Sequence, residues 1–127
     1  MDINLDIDAP RSDEYTREVA STVAEAVRTL NHHTFSAAGV PYPSTVYRVL
    51  GNLHAALSGL SQTLRQLSSH LARMEATGRV YDDRDRQDTE LAARTIAAVR
   101  EHLRAGRFAD AEREAGHLGL LDEGEAR

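Results

Sequence analysis

Nine apolar residues mark one unbroken heptad stripe: Val46, Leu50, Leu53, Leu57, Leu60, Leu64, Leu67, Leu71 and Met74. The steps alternate four, three, four, three, the spacing of a seam along a single helix. A seam of this kind needs apolar surface against it. The helix that carries it is expected from about Ser44 to Thr77, with Gly78 as its C-cap. At 1.5 Å per residue it is about 50 Å long.

The flanking segments are shorter. A first helix is expected to start near Ser12 or Asp13, either of which can cap it, with Tyr15, Val19, Val23, Val27 and Leu30 on its apolar face. Gly39, Pro41 and Pro43 break the connector after it, and Phe35, Val40 and Tyr42 are expected to pin that loop to the bundle. A third helix begins within the acidic stretch Asp82–Asp88, which suits the positive end of a helix dipole. Its apolar face is Leu91, Ala92, Thr95, Ile96, Val99 and Leu103, and Gly106 ends it. A short fourth helix has Phe108, Ala111, Ala115 and Leu118 on one side.

Residues 2–8 differ from the rest. Ile3, Leu5 and Ile7 alternate with polar residues at period two, the pattern of a half-buried strand, and no convincing second strand follows. Such a segment pairs with its copy in another subunit, pairs with another protein, or lies as an extended arm on the bundle. Burial of all three side chains is expected in the intersubunit pair or on the bundle.

These elements predict an all-α fold, a helical bundle on one long central heptad helix (about 44–77). Antiparallel helices precede and follow it, and a short C-terminal helix and an N-terminal strand or arm complete it. The chain reads as one domain over 1–127, with 1–11 as the arm and 122–127 as a frayed tail. The central helix outruns both neighbours, so a symmetric mate is expected to cover the remainder, most simply in a C2 dimer. Leu60, mid-stripe, is expected to be buried where the first and third helices both reach.

The other faces of the central helix point the same way. Between Val49 and Ala72 the only formal charge is Arg65, whereas a solvated helix face normally carries several. Gly51, Ala55 and Gly59 stand four apart and form a smooth ridge. Two interior glycines cost about 2 kcal/mol in helix propensity. The ridge is either a second contact face or compositional drift.

Composition excludes more than it assigns. There is no cysteine, hence no disulfide or thiol chemistry, which leans towards a reducing cytoplasm. All fifteen basic residues are arginine, as in a GC-rich bacterial genome. No apolar run approaches the roughly 20 residues of a membrane helix. The acidic start MDINLDIDAP does not read as a signal or transit peptide. The net charge of −5 argues against general phosphate-backbone binding. It divides as −4 over residues 1–42, +3 over 43–81 and −4 over 82–127.

The stretch Ser44-Thr45-Val46-Tyr47-Arg48-Val49-Leu50-Gly51-Asn52-Leu53 resembles the recognition helix of winged-helix repressors such as the ferric-uptake-regulator family. The resemblance implies that Thr45, Tyr47 and Arg48 face DNA. It covers ten residues. The family then needs a glycine turn and a two-stranded wing, where this chain continues its heptads. Leu103–Ala115 is similar to the turn of tetratricopeptide-type hairpins, without a repeat. The Tyr81-x-x-x-Asp85 spacing resembles the export signal of type VII-secreted helical hairpins, whose Trp-x-Gly turn this tryptophan-free chain lacks.

No chemical motif emerges. Adjacent His32 and His33 point about 100° apart on a helix, and His54, His70 and His102 build no familiar zinc spacing. Asp82, Asp83, Asp85 and Asp88 fail the EF-hand pattern and read as helix capping. Hydrolase, Walker and dinucleotide signatures are absent. The expectation is therefore a non-enzymatic helical assembly protein without cofactor or metal, working as a homodimer or higher oligomer, with a further protein partner as an open alternative. Its interface candidates are the stripe from Leu50 to Leu71, the Gly51–Ala55–Gly59 ridge, and Ile3, Leu5 and Ile7. The alternatives are a small transcriptional regulator using Thr45–Arg48 and an enzyme or ligand-binding bundle without a sequence signature.

Overall fold

Capping chemistry sets the helix boundaries in the computed structural model, which describes residues 4–122. The Ser12 side chain accepts from the Tyr15 amide and opens α1 (Asp13–Phe35). Ser36 then caps a single 3-10 turn, Ala37–Gly39. A Cβ on Gly39 would lie 1.9 Å from the His33 carbonyl oxygen, so only glycine lets the turn approach α1 this closely. Pro43, whose missing N–H is no loss at a first helical position, starts α2 (Pro43–Ala76). Gly78, at φ 72°, follows its end. Asp88 accepts from the Leu91 amide and opens α3 (Thr89–Ala105). Gly106, at φ 77°, closes α3 while the Arg107 amide donates to His102 O at 2.9 Å. α4 (Phe108–Ala115) follows.

The chain is mostly helical, as expected, but it also holds a two-stranded antiparallel sheet. β1 (Val80–Asp82) pairs with β2 (Leu118–Leu120), with Val80 opposite Leu120, Tyr81 opposite Gly119 and Asp82 opposite Leu118. Leu118 therefore belongs to a strand, and the fourth helix stops at Ala115. The Tyr81 ring lies across Gly119, where a Cβ would come within 2.4 Å of it. Arg86 stacks on the same ring, 4.1 Å from its centroid.

Contacts divide the chain into two units, one up to Asn52 and one from Leu53. In the first, α1 buries no residue, and Phe35, expected to anchor the connector, is 94% exposed. Tyr42 is exposed as well, and Val40 is partly covered. The second contains the whole core: Val80, Ala92, Ile96, Val99, Ala111 and Leu121, with Asp82 and Thr95 buried beside them. The third helix thus buries the face its pattern marked. α3 packs on α4 and on both strands, so the core is enclosed by the segment between β1 and β2 and by the strands themselves.

Two expectations are not met within the single chain. The N-terminal segment is not a strand over its described residues. Asp6 accepts from the Asp8 amide through its side chain and from Ala9 through its carbonyl, which turns the backbone. Such local bonds compete with extended pairing. The Tyr15 hydroxyl accepts from the Asp6 amide and donates to Asn4 O, both at 2.8 Å, so the segment is held to the start of α1. Leu5 and Ile7 remain exposed, Ile7 at 88%, rather than buried. Ile3 lies outside the described residues. The second reversal is that α2 buries none of its residues. Leu60 is 40% exposed, where burial under the first and third helices was expected.

Candidate interaction surface

α2 presents its stripe as two parallel lines. Val46, Leu53, Leu60, Leu67 and Met74 form one, and each is exposed. Leu50, Leu57, Leu64 and Leu71 form the other, and its two halves differ. Leu50 and Leu57 are 59% and 65% exposed, whereas Leu64 and Leu71 are partly covered. In that second half one side chain of α3 reaches α2: Arg100 Nε donates to Ser68 Oγ at 2.9 Å. Ser61, Leu64, Arg65 and Ser68 line an open cleft of about 840 Å³ whose other wall includes Arg100, Leu103 and Phe108.

The remaining candidates are placed as follows. Gly51 and Gly59 have open space around a would-be Cβ, with no described atom within 4 Å of either. With Ala55 they lie on the side of α2 away from the stripe. His54 and His70 flank the stripe and are exposed. Tyr47 and Arg48 are exposed and Thr45 is partly covered. α2 runs uninterrupted from Pro43 to Ala76, so the turn and wing that the winged-helix resemblance requires after Leu53 do not follow it.

The chemistry-bearing cluster is elsewhere. Asp82, fully buried, accepts at Oδ1 from the Arg84 amide and Nε, both at 2.9 Å. Its Oδ2 accepts from Arg84 Nη2 at 2.7 Å and from the Thr95 hydroxyl at 2.6 Å. Glu114 Oε2 lies 3.4 Å from the same guanidinium. The paired Arg84 guanidinium holds the Asp82 carboxyl well below the usual carboxylate range, against the opposing effect of burial, and the Thr95 hydroxyl and Arg84 amide add to it. Four donors fill its acceptor positions. A carboxylate so saturated is a poor proton acceptor, and the cluster acts as a tie between β1, the following loop, α3 and α4.

Asp83 and His117 meet at the end of the sheet. Their side chains are 2.7 Å apart, and the Asp83 amide donates to His117 O, also at 2.7 Å. Among the described residues, Asp82, Asp83 and His117 form the one group whose ligand atoms could converge on a metal ion. Asp82 is already neutralised by Arg84, which works against a cation there. Sequence spacing did not reveal this pair, because strand pairing brings together residues 34 apart in the chain. The acidic loop behaves as capping and tying chemistry: Asp88 caps α3, and Asp85 accepts from the Gln87 amide.

Among the described residues no helix is long and apolar enough to cross a membrane. No protein-family model matches the chain, and neither the curated proteins nor the solved structures contain a significant match.

Proposed function

We propose that this is a helical assembly protein whose α2 stripe docks on a second copy of the chain. The observation that carries this reading is that α2, the longest element, buries none of its residues while presenting nine apolar side chains in heptad register. Exposed leucines at this density favour association, since burying each contributes roughly 1.5–3 kcal/mol. A second copy suits the face on charge grounds. In an isologous contact a surface meets itself, and a charge on a symmetry axis would face its own like. Arg65 is the one formal charge between Val49 and Ala72. The absence of cysteine fits a reducing, cytoplasmic setting.

Sedimentation velocity across a concentration series tests the reading. The expected result is a monomer–dimer or higher equilibrium in the micromolar range or tighter. Leu57→Arg should shift it to monomer. A chain that sediments as a monomer at tens of micromolar would overturn it.

A further inference from the structure

We infer that the cleft lined by α2, α3 and Phe108 binds an organic phosphate monoester with an apolar body, held by Arg65 and Arg100. The inference stands apart from self-association. The lining residues run from position 61 to 108, inside the unit that starts at Leu53, and the polar ones sit beside the stripe rather than on it. Helical spacing puts Ser61, Arg65, Ser68 and Ser69 on one side of α2. Arg100 comes from α3. Its Nε–H donates to Ser68 Oγ at 2.9 Å, which holds the guanidinium one helical turn from Arg65.

Charge identifies the ligand. Glu101 and Arg104 also line the cleft, but they satisfy each other: Arg104 Nε and Nη2 donate to the two Glu101 carboxylate oxygens at 3.0 and 2.5 Å. Among the described residues, neither Arg65 nor Arg100 pairs with a carboxylate. Three arginines against one glutamate leave the lining at +2, in a chain whose net charge is −5. A guanidinium without a counter-ion offers a planar fork to phosphate or carboxylate. A phosphate monoester carries about −1.5 to −2 at pH 7 and has three free oxygens. That charge matches two guanidiniums, and the third oxygen is left for the Ser69 hydroxyl. A carboxylate, at −1, would leave one guanidinium unneutralised. Leu103 and the exposed Phe108 ring supply an apolar wall for the rest of the ligand. The volume of about 840 Å³ is within the roughly 300–1,000 Å³ of small-molecule sites.

Phenyl phosphate is the probe, titrated into the full ¹⁵N-labelled chain and followed by amide chemical shifts. Saturable shifts are expected over residues 61–69 and 97–108. Arg65→Gln and Arg100→Gln should each weaken binding about tenfold or more, because each removes charge-assisted hydrogen bonds. Arg100→Lys, which keeps the charge, should recover part of the loss. Arg94→Gln, on α3 outside the cleft and paired with Glu90, should bind as the parent does. All three arginines are exposed, and circular dichroism checks that each variant keeps its helix content. No saturation at millimolar probe, or binding that survives loss of both Arg65 and Arg100, would overturn the site. Inorganic phosphate binding as tightly as phenyl phosphate would overturn the apolar part of the assignment, and benzoate doing so would overturn the choice of phosphate.

Discussion

Residues 80–121 contain every buried side chain among the described residues, and residues 4–76 contain none. Yet the second stretch has by far the stronger periodic pattern. The C-terminal segment builds a small core from alanine, valine, isoleucine and leucine beside the buried carboxylate of Asp82; the long helix offers nine large apolar residues and none of them is fully buried. The difference separates two things that a hydrophobic pattern can mean. A stripe marks the face that will be buried. It does not say whether the covering surface belongs to the same chain. Within 80–121 the cover is local, because α3, α4 and the strands are joined by short connections. No residue of α2 is buried, and that contrast is what supports the self-association proposed above.

The sharpest test of the contrast is a core truncation in each region. Ile96 is 1% exposed. Ile96→Ala should cost about 4 kcal/mol, within the usual range for a buried isoleucine, and urea melts should show it independently of protein concentration. Loss of under 1 kcal/mol would mean that residues 80–121 hold no real core.

The Asp82–Arg84 ion pair comes next. Asp82→Asn removes the charge that Arg84 and Thr95 are arranged around and should cost about 2–3 kcal/mol, as for hydrogen bonds to a charged group. Arg84 keeps partial access to solvent, which limits the penalty. The pH dependence has a definite sign. Asp82 is held below its ordinary value of about 3.9, so its contribution is fully present above that value and is lost as pH falls below it. Acid melts of the parent chain should therefore lose stability more steeply below about pH 4 than those of Asp82→Asn. Parallel curves would remove Asp82 as the tie.

How far the sequence reached follows the same division. Local signals were legible: Ser12, Gly78 and Gly106 stop or start helices where expected, and the apolar face of α3 was identified residue by residue. Three-residue strands were not, because Val80–Asp82 and Leu118–Leu120 are too short to show a period and pair across an intervening pair of helices. The Asp82–Arg84–Thr95 tie and the Asp83–His117 contact depend on that pairing and stayed hidden with it. The N-terminal alternation does not become a strand over its described residues, for a different reason. Three residues at period two fit a strand, but Asp6 satisfies the backbone locally and bends it.

Leu60→Ala tests the exposed region. In a dilute monomer the partly exposed side chain should cost under about 1 kcal/mol, since little buried area is lost. Where the protein is assembled, the same change should lower the melting temperature by an amount that grows with concentration. A loss of several kcal/mol at high dilution would show that Leu60 is covered within its own chain, and the contrast between the two regions would fail.

The smallest expected effect concerns the ridge. A side chain at Gly59 meets open space in the single chain. Gly59→Leu should therefore stabilise the dilute chain by somewhat under 1 kcal/mol, the difference in helix propensity between the two residues. The ridge faces away from the stripe, so the variant also asks whether α2 has a second contact face. If a further helix approaches along Gly51, Ala55 and Gly59, the added leucine clashes, and the variant loses assembly above the dimer while the stripe-mediated dimer persists. If the variant gains stability and sediments as the parent chain does at every concentration, the ridge is solvated, and α2 works through its stripe alone.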